Sequence, residues 1–277
     1  MTTATSAGPA AVAGDALAAA ERGRRSARRR SVLLAHGFTL AALALWWAYA
    51  QVVPPYLLPG PGPVAARMWT IVTTPELGVQ VLRSFWHVLA AVALAFAAGC
   101  ALAVTARGVP ATRLLIEGRL TPFLNAFSGI GWLFLAILWF GPNSTTVVFA
   151  VTMILVPFTV INVGTGLQEL DRDLLELGRS LSRSPLRRAA RIVFPLLVPY
   201  LFAALRTSFG VAWKVVLTAE LFGGNAGVGY MLNIARQEFD TETIFAVILF
   251  ILLFVAAAEV LFFRPVQRRL DRRFARG

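Results

Sequence analysis

Cysteine, lysine and histidine are nearly missing from this sequence, and each scarcity removes a class of chemistry. Cys100 stands alone, so no intramolecular disulfide can form, and a single thiol in an apolar run reads as a small packing residue. Lys214 is the only lysine. The phosphate-binding pattern G-x-x-x-x-G-K-[ST] needs a lysine after glycine, whereas Lys214 sits in Trp-Lys-Val-Val, so the chain carries no ATPase loop of that kind. His36 and His87 are far apart in sequence, and no cluster of metal-ligand residue types is visible. His87 reads as a membrane-interface residue. Charged residues make up only 14% of the chain against 57% hydrophobic, with a mean hydropathy of +0.69, which excludes an ordinary soluble domain. No catalytic residue, metal or cofactor is expected.

What is present instead is length and apolarity. Several runs approach or exceed the roughly 20 residues that cross about 30 Å of hydrocarbon. An all-α, polytopic membrane fold follows, with six expected spans: residues 32–53, 82–106, 114–140, 145–165, 195–217 and 244–263. Residues 1–30 hold six arginines and little that could form a core, and they read as a disordered cytoplasmic tail preceding a membrane domain over 31–277. The net charge of +12 does not point to nucleic acid, because 20 of the 26 basic residues fall in four segments that alternate with spans. Such placement obeys the positive-inside bias and puts both termini in the cytoplasm. Arg107–Arg113 is then an inner loop. Pro122 is expected to bend the third span, and Gly129-Ile130-Gly131 to weaken it at membrane depth. Pro157 marks an expected kink. Ala219–Thr241 reads as an outer, glycine-rich connection.

The charged interruption at residues 167–199 organises the second half. Leu167, Leu170, Leu174, Leu177 and Leu181 recur at three- and four-residue spacing, an apolar stripe on one helix, with Glu176, Arg179 and Arg183 on other faces. Ser184-Pro185 is a helix start, with an N-cap followed by proline at the first helical position. A short basic helix and Phe194-Pro195 complete a helix–turn–helix at the membrane surface. On pattern alone this is either a docking element or an amphipathic hairpin lying on the inner leaflet.

This segment resembles the EAA loop of ABC-importer permeases. Counted back from Pro195, Glu176 takes the Glu position, Leu177 and Gly178 the two alanines, and Ser182 the glycine. Leu177 and Ser182 depart from the pattern, and serine reaches positive φ less readily than glycine. The run Gly210–Leu232, with Ala-Trp, Ala-Glu and Gly-x-Gly-Tyr, is similar to the nitrate/sulfonate/taurine-type subfamily. The resemblance implies a type I importer permease whose coupling loop, about 167–194, meets the ATPase through Glu176, Gly178, Arg179, Ser182 and Arg183. It implies two ATPase subunits, a second permease chain (identical or homologous), and a periplasmic or lipid-anchored solute-binding protein. The solutes it implies are taurine, sulfonates, nitrate, bicarbonate or vitamin precursors, largely anions.

Arg206 lies about 16 Å past Pro195 at roughly 1.5 Å per residue, near the bilayer midplane, where an ion is expensive. Lys214 follows on the same broad side of that helix. Both are candidates for the solute path, with pairing of Arg206 to Glu259 or Glu117, and outward snorkelling of Lys214, as the structural alternatives. Glu220 is a further candidate at the outer gate, implied by the Ala-Glu signature, against a solvated interfacial carboxylate. Gly129 and Gly131 are candidates for close helix approach and pore lining. An ion-coupled secondary transporter is the main rival reading, but it predicts paired broken helices and a repeat, and no long repeat is visible. A membrane-anchored docking protein is the second rival, and it leaves a midplane Arg206 without a role.

Overall fold

The computed structural model describes residues 30, 33–34, 36–169, 184 and 189–274. Residues 1–29 of the basic tail and the coupling residues Glu176, Gly178, Arg179, Ser182 and Arg183 lie outside the described residues. The chain divides into two compact units, Met1–Pro63 and Val64–Gly277. In the first, residues 36–50 form helix α1, where the first span is expected. Turns follow, and the Trp46 indole N–H closes them by donating to the Pro59 carbonyl at 3.1 Å.

All regular structure among the described residues is helical. After α2 (Pro61–Thr73) come α3 (Pro75–Gly108), α4 (Pro110–Leu115), α5 (Thr121–Ala126), α6 (Gly129–Phe140) and α7 (Ser144–Gln168). They are followed by α8 (Phe194–Gly223), α9 (Val228–Gln237), α10 (Thr241–Ala258) and α11 (Arg264–Phe274). Four helical stretches among the described residues are long and apolar enough to cross a membrane: 75–108, 144–168, 191–223 and 241–270. A fifth is possible by length and composition if the pair 111–126 and 129–140, bent by 85°, counts as one span. These five correspond to the second to sixth expected spans, with longer ends.

Helix α7 is the centre of the second unit and packs on both α3 and α8. It is apolar all round, with Val147, Val151, Leu155 and Val163 buried, as expected of a helix with protein on several sides. Asn143 caps its first turn by accepting from Thr146 N at 3.0 Å. The helix continues through Pro157 without a break. A Cβ on Gly99 would stand 2.5 Å from Thr159 Cβ, so α3 and α7 meet where the side chain is smallest.

Three π turns occur among the described residues, at Ile116–Leu120, Ala189–Val193 and Glu259–Phe263. Each is followed at its second residue by a proline: Pro122, Pro195 and Pro265. Proline has no N–H, and its ring crowds the carbonyl four residues back, which here is the middle residue of each π turn. The ladder therefore skips to i→i−5, as in Thr121 N–H to Ile116 O and Arg264 N–H to Glu259 O. Proline alone does not suffice, because Pro157 and Pro199 sit in unbroken α-helix. Glu117 and Thr121 adjoin Gly164–Gln168 at the end of α7, and Tyr200 near the start of α8 donates to Glu169. The first two π turns thus lie by the last turn of α7 and the first turn of α8, and the third faces Arg206 further along α8.

Two expectations are corrected here. The glycine-rich connection expected over 219–241 is largely helical: α8 runs to Gly223, and α9 fills most of the remainder. The third span breaks at Phe127-Ser128, not within Gly129–Gly131, and Gly129 is the first residue of α6.

Candidate functional site

The exposed side of α8 carries Thr207, Lys214 and, half-buried, Arg206 and Gly210. Two cavities open on it. One, of about 490 Å³, is lined by Arg206, Thr207, Gly210, Lys214, Glu259 and Gln267 among others. The other, of about 320 Å³, lies at the 85° break and includes Ser128, Gly129, Ile130, Ile154, Lys214 and Thr218 in its lining. Lys214 borders both.

The two cations of α8 differ in their partners. Arg206 Nε lies 3.3 Å from Glu259 Oε2, its Nη2 bonds Glu259 Oε1, and its Nη1 donates to the side-chain Oε1 of Gln267. Of the two alternatives read from sequence, Glu259 is the partner, while Glu117 pairs with Arg113 at 2.9 Å. Residues eight apart in an α-helix point about 80° apart. The extra residue absorbed by a π turn brings them to within about 20°. The turn at Glu259–Phe263 therefore puts Glu259 and Gln267 on one line facing Arg206. Lys214 has no ion-pair partner among the described residues.

Where Lys214 borders the second cavity, α6 begins. Ser128 is its N-cap residue and makes no side-chain cap bond. The first N–H groups of a helix lack intrahelical acceptors, and the dipole makes that end positive. Gly129 meets Ile154 Cδ1 across the cavity wall, where an added Cβ would come to 3.1 Å. Gly131 lies outside the lining of either cavity and lets the Phe127 ring fold across it, with a hypothetical Cβ only 2.8 Å from that ring. Phe127 also stacks edge-on against Trp132 at 4.8 Å, which holds the bend.

Glu220 borders neither cavity, and it is not the interfacial carboxylate weighed from sequence. It is 0% exposed and accepts from Ser84 Oγ at 2.7 Å and Gly229 N at 2.8 Å. His87 Nδ1 lies 2.7 Å from its other oxygen, and the ring is 2% exposed, so the interfacial reading of His87 is also corrected. Gln80, Ser84 and His87 stand at i, i+4 and i+7, a polar stripe on an apolar helix. The spacing was readable, but its buried partner on α8 was not.

Outside the spans, Arg67 grips the start of α10, with Nε 2.6 Å from Thr243 Oγ1 and Nη2 3.0 Å from Asp240 Oδ2. Burial alone would raise the Asp240 carboxyl. Bonds from the Thr243 side chain and backbone, together with the Arg67 charge, outweigh it and hold the group below its ordinary range.

A family profile described as binding-protein-dependent transport system inner membrane component matches residues 110–276, well over half the chain. The chain belongs to this family. It is similar to the taurine transport system permease protein TauC of Escherichia coli K12, at 25% identity over 87% of this chain and 90% of TauC. The putative aliphatic sulfonates transport permease protein SsuC of Bacillus subtilis 168 is 26% identical over 91% of this chain and 92% of its own. The nitrate import permease protein NrtB of Synechococcus elongatus is 27% identical over 69% and 71%. The permease is thus a transport component of an ABC importer, carried in the membrane, with ATP hydrolysis and solute capture on partner proteins. Membership favours this reading over the ion-coupled one.

Proposed function

We propose that the permease passes a small anionic solute along the Lys214 face of α8. The observation that carries the reading is Lys214 itself: the only lysine, without an ion-pair partner among the described residues, bordering both cavities. An unpaired cation at membrane depth is costly unless something compensates it in operation. The start of α6 adds backbone N–H groups on the same cavity, and a broken helix aimed at an anion is a recurring transporter device. Arg206, neutralised by Glu259, serves as a fixed strut more than as a solute ligand.

In this reading two permease chains enclose the path, and two ATPases dock on the segment about 167–194 through Glu176, Gly178, Arg179, Ser182 and Arg183. A binding protein delivers solute on the side opposite that segment, and both termini are cytoplasmic. ATP shifts the path between two states through its different affinity for each. The test is uptake by the reconstituted complex with saturating binding protein, using taurine, an alkyl sulfonate and nitrate as probes. Lys214→Gln is expected to cut uptake of the transported probe about tenfold or more, the worth of one charge-assisted contact, with basal ATP hydrolysis retained. Lys214→Arg should restore part of it, because guanidinium keeps charge but not shape. Unchanged uptake by Lys214→Gln would remove Lys214 from the path.

A further inference from the structure

The run Gly223-Gly224-Asn225-Ala226-Gly227-Val228-Gly229 is wrapped around one carboxylate. A Cβ on Gly224 would stand 2.8 Å from Glu220 Cα. Gly227 holds φ at +105°, and a Cβ there would fall on the Glu220 carboxyl itself. On Gly229 it would meet the Leu217 carbonyl and Glu220 Cβ. Only glycine lets the backbone close so tightly.

The first three N–H groups at the start of α9 are then each taken by a side chain. Gly227 N donates to Gln80 Oε1 at 2.8 Å, Val228 N to Ser84 Oγ at 2.7 Å, and Gly229 N to Glu220 Oε2 at 2.8 Å. Ser84 also donates to Glu220, and His87 closes the other carboxylate oxygen. The cluster joins α3, α8 and α9 at a single acceptor. An apolar residue of similar volume could hold the same elements together at no greater cost in stability, so a buried carboxylate here specifies one seating of the helices. Glu220 comes six residues after Lys214, about 240° around α8. Pinning Glu220 toward α3 therefore sets the direction in which Lys214 and Thr218 face.

We infer that Gln80, Ser84, His87 and Glu220 are positioning residues of transport: they seat α9 and the last turns of α8 on α3 in one register, and so aim the Lys214 face at the path. The inference rests on the permease reading and on Lys214 lying in that path, but its local arm does not need either.

The experiment uses the complex with its ATPase in nanodiscs, in a Cys100→Ala background. Ala235→Cys, at a buried position of α9, reports unseating through its rate of labelling by N-ethylmaleimide, and Val163→Cys, buried on α7, is the control. Glu220→Gln keeps the shape but leaves one acceptor oxygen for donors that now use two. It should raise labelling of the Ala235→Cys reporter about tenfold, the effect of one unmet buried bond. It should leave the Val163→Cys control unchanged and cut binding-protein-stimulated ATP hydrolysis by a similar factor, with the basal rate retained. Adding His87→Gln should move both readouts back toward the starting complex, because two amides can satisfy each other. Should Glu220→Gln fail to insert, Ser84→Ala carries the same comparison. Unchanged labelling overturns the inference, and so does an equal rise at both reporters, or unseating with stimulation intact. If the unsubstituted complex shows no stimulation, the partner reading fails, while the labelling arm still decides the seating.

Discussion

Helix α8 is tied down twice, and the two ties are built differently. At one end Glu220 is 0% exposed and takes donors from a second helix and from the backbone of α9. At the other, Arg206 is 35% exposed and holds Glu259 and Gln267, which a proline-set π turn brings into line. The first tie joins α8 to residues 133 and 136 positions away and is enclosed by glycines. The second joins residues 53 and 61 positions apart across an open cavity. A sealed acceptor fixes register, whereas a half-open ion pair can exchange partners at little cost. The second lies in the first half of α8, the helix that follows the segment on which the ATPase is proposed to act, and the first at the far end of α8.

The largest effect expected from this contrast is on stability. Glu220→Ala removes the acceptor and orphans buried donors, at about 3–5 kcal/mol. Glu259→Ala breaks a partly open pair, at about 1 kcal/mol or less. Thermal inactivation of the purified permease in one detergent should rank them in that order, and equal losses would end the distinction. Pro265→Ala has a smaller expected effect and sharpens the account of the open tie. Restoring the N–H lets the π turn relax to α-helix, after which Glu259 and Gln267 cannot both face Arg206. A loss of about 0.5–1.5 kcal/mol, one hydrogen bond, is expected, and none at all from further substituting Gln267→Ala. The smallest effect concerns Asp240, outside the spans. Its carboxyl is held low in the fold, so its contribution is present above the ordinary carboxylate range and is lost as pH falls through the depressed value. Acid sensitivity below about pH 4 should therefore be partly removed in Asp240→Asn, measured against its own neutral-pH stability.

Much of the fold was legible because lipid imposes simple rules. Apolar runs near the span length located five helical regions, and the start expected at residue 145 falls one residue inside α7. The partner of Arg206 was narrowed to two glutamates, of which Glu259 is the one. His87 was misread as interfacial, and for Glu220 an interfacial carboxylate stayed open as the alternative to an outer-gate role, because each stands at the edge of an apolar run. Only their mutual approach reveals the site as interior. The glycine run was read only as a connection, because glycine signals both looseness and close approach, and sequence alone does not separate them.

By itself the sequence determined the class of molecule, a helical membrane protein with no phosphate-binding lysine loop, and its resemblance to ABC-importer permeases added a path whose motor is elsewhere. Composition and spacing suffice for the class, because the bilayer tolerates few alternatives to long apolar helices. Tertiary structure alone decided which polar groups meet. Whether Lys214 stays unpaired while Arg206 is neutralised, and whether Glu220 faces a path or a cradle, depends on the phase of α8 against α3 and α10. That phase is set by contacts between residues more than a hundred positions apart, as between His87 and Glu220, and local pattern carries no record of them.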